Sequence, residues 1–171
     1  MTHYATVIKS DDGWGWPRTD RCPEPLVWIV SNLDQVRENI RRSAGGLPPD
    51  SLWTHIAPTT PAAGNLLLHL VGTERHWIHR NVGGLPLVRD RAEEFSTTGG
   101  RSLDELLADL DDAARLTHEV VGRLVDIGQT ITPTIQFCFH YTAQHFAYHS
   151  GQIVTIRKMF QPEFQVYPAG P

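Results

Sequence analysis

Apolar residues recur every three or four positions along four stretches of the chain, and no stretch shows the two-residue alternation of a strand. The first stretch opens near Glu24 with Pro25 in its first turn, where proline is tolerated. It carries Leu26, Ile29, Val30, Leu33, Val36 and Ile40 before Gly45-Gly46 and Pro48-Pro49 stop it. The second opens at Thr60-Pro61 and runs to about Asn81, just ahead of Gly83-Gly84. Ser102-Leu103-Asp104-Glu105 announces the third as a capping box, in which hydroxyl and carboxylate satisfy orphan amides reciprocally. Its stripe is Leu103, Leu106, Leu107, Leu110, Ala114, Val121 and Leu124. The fourth starts around Thr132-Pro133 and runs to about Met159, roughly 40 Å of helix at 1.5 Å per residue. Four amphipathic helices, none able to bury its stripe alone, predict an all-α four-helix bundle. The chain then divides into an N-terminal extension at 1–22, the bundle at 23–161 and a tail at 162–171. The connection from about Val82 to Arg101 is long, and loops of that length are often functional or cover something. The extension holds Tyr4, Trp14 and Trp16 and is expected to pack on the bundle or on a partner chain.

The fourth helix carries the clearest chemical signal. At about 100° per residue, Ile135, Cys138, Phe139, Phe146, Ile153, Ile156 and Phe160 share one face, and His145 and His149 project from that face. An unpaired buried polar group costs roughly 1–3 kcal/mol, so both imidazoles need partners. Backbone carbonyls could supply them; a divalent metal ion gripped by two side chains one turn apart would satisfy both at once. A metal site needs a third ligand from another helix. His69, at the edge of the second helix's apolar arc beside Ala62, Leu66 and Thr73, is the first candidate, and His76 two turns on is the second. His79 is expected to point into solvent and His140 to lie on the outer side of the fourth helix, while His3, His55 and His118 fit no pattern. Tyr141, Tyr148 and Gln152 flank the histidine face and are expected to hydrogen-bond to the imidazoles or line a pocket. Cys138 reads as a small buried residue, Trp28, Trp53 and Trp77 as core, and Arg157 and Lys158 as helix-dipole partners.

Composition narrows the setting. The 19 acidic side chains outnumber the 15 basic ones and no basic block stands out, which argues against nucleic acid and anionic membrane as partners. Nine histidines are a compositional hint of metal. Two cysteines, Cys22 and Cys138, are too few for a disulfide framework and favour a reducing cytoplasm. The first residues lack the basic start and apolar run of a signal peptide, and no apolar run approaches the roughly 20 residues of a membrane span. The expected location is therefore cytoplasmic.

The order His69, Glu74, Trp77 on the second helix, followed by His145-x-x-x-His149-x-Gly151-Gln152-Ile153 on the fourth, resembles the DinB/YfiT-like superfamily over about Glu24 to Phe160. The resemblance implies an up-down-down-up or similar four-helix bundle and a three-histidine metal site at His69, His145 and His149, preferring His69 to His76. Neutral imidazoles suit zinc, nickel, copper and iron, with zinc or nickel first in expectation, and the lack of a carboxylate ligand argues against magnesium or calcium. Relatives in this superfamily include transferases that use low-molecular-weight thiols such as mycothiol and bacillithiol. The implied function is a metal-dependent thiol S-transferase acting on small electrophiles, with a small-molecule thiol as cofactor and no catalytic residue assigned to the chain itself. Two other readings stay open: a non-catalytic metal-binding stress-response or interaction protein, and a metal-dependent hydrolase using Glu74. A homodimer is expected by analogy with bundles of this kind.

Overall fold

The computed structural model of the protein describes residues 22–166 and the backbone of two short strands nearer the N-terminus. Those strands, β1 (Ile8–Lys9) and β2 (Gly15–Trp16), pair antiparallel with Ile8 opposite Trp16. Two residues each are too few for alternation to register in the sequence. The packing expected of Tyr4, Trp14 and Trp16 lies outside the described residues, as does His3.

Each expected helix forms, with boundaries set by local chemistry. Pro25 sits in a 3₁₀ turn, Glu24–Leu26, that leads into α1 (Val27–Ala44). The second helix, α2 (Ala63–Glu74), starts later than Thr60-Pro61 predicts because Asn65 Oδ1 reaches back to the Ala62 amide at 3.2 Å. It continues as a π-helical segment, Arg75–Arg80. The long connection folds into a short helix, α3 (Arg91–Ser96), capped by Asp90. Ser102 and Glu105 form the expected capping box at the start of α4 (Leu103–Asp126), and Thr132 caps α5 (Pro133–Phe160).

Side-chain pairings settle the direction of each helix. Asp34 meets His118 while Arg41 meets Asp111, so α1 and α4 run antiparallel. His69 meets His145 while Trp77 meets Phe137 and Tyr141, so α2 and α5 are also antiparallel. Arg37 stands over Phe146 and Arg157 donates to the Ser43 carbonyl, so α1 and α5 run together. The order around the bundle is α1, α5, α2, α4, and the topology is up-down-down-up. Leu33, Ile40, Leu66, Leu70, Leu110, Phe139, Phe146 and Ile153 fill its centre. Among the described residues no helix is long and apolar enough to cross a membrane.

Two expectations are corrected. Trp28 is 53 % exposed, because it lies half a turn from the Leu26, Val30 and Leu33 stripe that faces the core. His79 is fully buried, with Nε2 2.9 Å from Thr117 Oγ1. The π-helical hydrogen bonds, Asn81 to His76 at 3.2 Å and Gly83 to Ile78 at 2.9 Å, rotate the last turn away from a 3.6-residue register and carry His79 inward. Arg157 lies in the last turn of α5, as a helix-dipole partner should, and is also buried, bonded to the Ser43 carbonyl and placed over the Phe164 ring at 4.6 Å.

A polar system crosses the bundle diagonally. Arg37 of α1 donates to Asp34 and to Glu74 of α2, and Thr117 of α4 donates to Glu74 as well. Arg37 and Glu74 are buried, so each charge depends on the other for its solvation. Replacing Arg37 by Met, which leaves the buried Glu74 carboxylate without its cation, is expected to lower unfolding free energy by about 3–5 kcal/mol in a urea titration. The double variant Arg37→Met/Glu74→Leu is expected to be less destabilised than the sum of the two single changes.

Candidate metal centre

The antiparallel contact of α2 and α5 brings three imidazoles to one point. His69 lies at the middle of α2, and His145 and His149 are one turn apart on α5. His145 Nε2 is 2.9 Å from His69 Nε2 and 3.1 Å from His149 Nε2. One ligand atom from each ring lies within 4.8 Å of the others. His69 and His149 are buried, while His145 is half-buried at the edge of the cluster.

The outward nitrogens decide which way the lone pairs face. His69 Nδ1 is 2.8 Å from Glu94 Oε2, and His149 Nδ1 is 2.6 Å from Gln152 Oε1. A carboxylate or amide oxygen only accepts, so both rings carry their proton on Nδ1 and turn an Nε2 lone pair inward. Arg89 Nη2 also lies 3.0 Å from His69 Nδ1, but its hydrogens go to Glu94 Oε2 at 2.8 Å and Thr73 Oγ1 at 3.1 Å. His145 can offer at most one Nε2 proton to two inward lone pairs, so the neutral cluster is one donor short. A cation removes that deficit for all three nitrogens. Zinc–nitrogen bonds of about 2.0–2.1 Å in a tetrahedron imply nitrogen spacings of about 3.3 Å, close to those present. The donor set therefore fits a divalent transition metal, and three imidazoles leave coordination positions for water or substrate.

Burial disfavours protonation of the two rings on α5. Burial, reinforced by His149, His69, Arg89 and Arg91, lowers the His145 pKa to about 4. Burial also holds His149 below the ordinary imidazole value, against the opposing hydrogen bond from Gln152. Burial alone would raise the Glu94 pKa, but hydrogen bonds from Arg89 and His69 outweigh it and hold the carboxyl low.

Aromatic rings wall the cluster. Tyr141 stacks on His145 with centroids 5.5 Å apart, Tyr148 meets His149 edge-on at 5.0 Å, and Phe95 tilts against His69 at 4.6 Å. The expected flanking roles of Tyr141, Tyr148 and Gln152 match these contacts. His76 stays outside, edge-on to Trp77 at 5.2 Å, and His140 is exposed. His55 bonds the Thr60 carbonyl at 2.7 Å, and His118 pairs with Asp34. Neither cysteine is poised as a nucleophile: burial pushes the Cys22 thiol up to about 12, helped by Asp34 and Glu24, and burial raises Cys138. Sequence periodicity missed Arg89, Glu94 and Phe95, which sit in the long connection; its length was the one signal that it served the site.

Stability should follow protonation of these rings. The His145 pKa lies below its ordinary 6.5, so the unfolded chain binds its proton first. The metal-free protein is expected to keep this contribution above pH 6.5 and lose it progressively as pH falls toward 4. Melting temperature followed over that range should fall, and fall less steeply in His145→Gln.

No curated protein matches the chain. A family model described as mycothiol-S-transferase matches residues 28–162, from the first turn of α1 to just beyond α5. That span takes in every helix of the bundle and all three converging histidines. The chain belongs to the mycothiol S-transferase family, within the DinB/YfiT-like superfamily.

Proposed function

We propose that the protein is a metal-dependent S-transferase that joins a low-molecular-weight thiol, mycothiol first, to small electrophiles, with His69, His145 and His149 as the metal ligands. The observation that carries this reading is the inward convergence of three Nε2 atoms from two helices, with two of the rings anchored from behind by Glu94 and Gln152. A divalent ion held there, retaining its full charge among neutral ligands, would lower the pKa of a thiol placed on it and present sulfur as thiolate.

The chain's own residues supply the setting rather than the nucleophile. Both thiols in the sequence are held protonated by burial, so sulfur for transfer comes from a separate molecule. In the overall change, a thiol and an alkyl halide give a thioether, halide ion and a proton. His145 remains neutral near pH 7, which preserves its lone pair for ligation. Tyr141, Tyr148 and Phe95 form an apolar rim suited to a small, weakly polar electrophile. A hydrolytic reading loses its general base, because Glu74 is taken by Arg37 and Thr117 inside the bundle.

Zinc- or nickel-loaded protein is expected to conjugate mycothiol to a test halide or epoxide, followed as loss of free thiol. His145→Ala should lose bound metal by mass spectrometry and fall to the uncatalysed rate, while its far-UV dichroism stays helical. No conjugation with any of several thiols, mycothiol included, would overturn the reading. Loss of fold together with the metal would mark the site as structural.

A further inference from the structure

Glu94 reaches the histidine cluster from outside the four long helices, and three separate features aim its carboxylate at one atom. Arg89 grips both oxygens in a fork, Nε on Oε1 at 2.6 Å and Nη2 on Oε2 at 2.8 Å. Gly72 leaves open the space beside α2 in which Oε1 sits, since a Cβ at that position would overlap this oxygen. Asn65 Nδ2 donates to the carbonyls of Glu94 at 3.0 Å and Thr97 at 2.7 Å, pinning the C-terminal half of α3 to the first turn of α2. What remains free to act is Oε2, 2.8 Å from His69 Nδ1.

A neutral imidazole has one proton, and the partner of one nitrogen determines the state of the other. Among the described residues, Glu94 is the acceptor that keeps the proton of His69 on Nδ1. With that proton on Nε2 instead, the lone pair turned toward His145 and His149 would be consumed. We infer that Glu94 is a positioning residue. Held by Arg89 in the notch that Gly72 leaves, it fixes the tautomer of His69 and so couples the docking of α3 to metal binding. The inference rests on the metal role proposed above for the three histidines. Coupling of this kind is reciprocal, so metal held at the cluster strengthens the docking of α3 by the same factor.

The arrangement also supplies a mild way to break the clamp. On its outer side lies a cavity of about 420 Å³, bordered by Leu68, Val71, Arg75, Val88, Arg89 and Glu94. A methyl group at position 72 would meet the flexible end of Glu94, which can swing into that space without disturbing the core. Gly72→Ala therefore displaces the carboxylate and keeps the fold. Glu94→Leu keeps the approximate shape but removes the acceptor from both His69 Nδ1 and Arg89.

Two measurements test this on the whole chain. Long-range proton–nitrogen correlation spectra of isotope-labelled, metal-free protein at neutral pH identify the protonated nitrogen of His69. Competition with a chromophoric chelator gives the affinity for zinc. Wild type is expected to show the Nδ1–H form; both variants should gain the Nε2–H form and bind zinc about 10- to 100-fold more weakly. Amide exchange across 91–97 should slow when zinc is added to wild type and not when it is added to Glu94→Leu. An Nε2–H form in wild type, or zinc affinity unchanged in both variants, overturns the inference. A merely structural Glu94 would lower melting temperature without moving tautomer or affinity, which overturns it too. Wild type that shows the Nδ1–H form yet binds no zinc overturns the metal role of the histidines and leaves the clamp standing.

Discussion

The organising constraint in this protein is the meeting of three imidazole nitrogens in a space from which water is largely excluded. Lone pairs brought within about 3 Å of one another are unfavourable unless protons or a cation lie between them, and low dielectric magnifies the imbalance. Glu94 and Gln152 anchor the far sides of two rings, which removes the easiest relief, rotation or a tautomer change. The cluster demands that α2 and α5 pack side by side, so that a single histidine on one faces an i, i+4 pair on the other.

The second helix organises both polar systems of the interior. One of its faces carries His69 and Thr73, which meet the Glu94–Arg89 clamp and the histidine cluster. Another carries Glu74, which closes the buried ion pair with Arg37 of α1 and accepts from Thr117 of α4. Change of helical period just beyond Glu74 lets His79 join this second system instead of facing solvent. The two systems thus lie on adjacent residues, one building the bundle and one building the site. Arg37 joins two carboxylates within the chain, whereas the three inward imidazoles are left one hydrogen-bond donor short.

That division fits a protein that supplies a cage and not a reagent. Burial holds its thiols protonated, its internal carboxylates are engaged, and burial lowers the pKa of His145 and His149. Chemistry in such a site belongs to whatever molecules enter it. On the function proposed above, the protein would contribute ligand geometry, an aromatic rim and hydrogen bonds behind the ligating rings, which set occupancy and access in a metal site.

How much of this was legible in the residues follows from the range of the forces involved. Helical periodicity and caps are local, so four long helices, the Ser102–Glu105 capping box and the Thr132 cap could be read directly. The inward face of α5 was equally legible, because a stripe of Phe139, Phe146 and Ile153 fixes where His145 and His149 point. His69 could be placed on an apolar arc, but choosing it over His76 took family resemblance. Tertiary structure alone decided the rest. A π-helical turn that no propensity marks moved His79 inside, and Trp28 turned outward because α1 offers the core only one stripe. Glu94 and Arg89 belong to a connection without strong periodicity, and their place beside His69 depends on contacts across 25 and 20 residues of chain. Local pattern determines which faces must be buried; which groups meet once those faces are buried is settled only when separate helices pack.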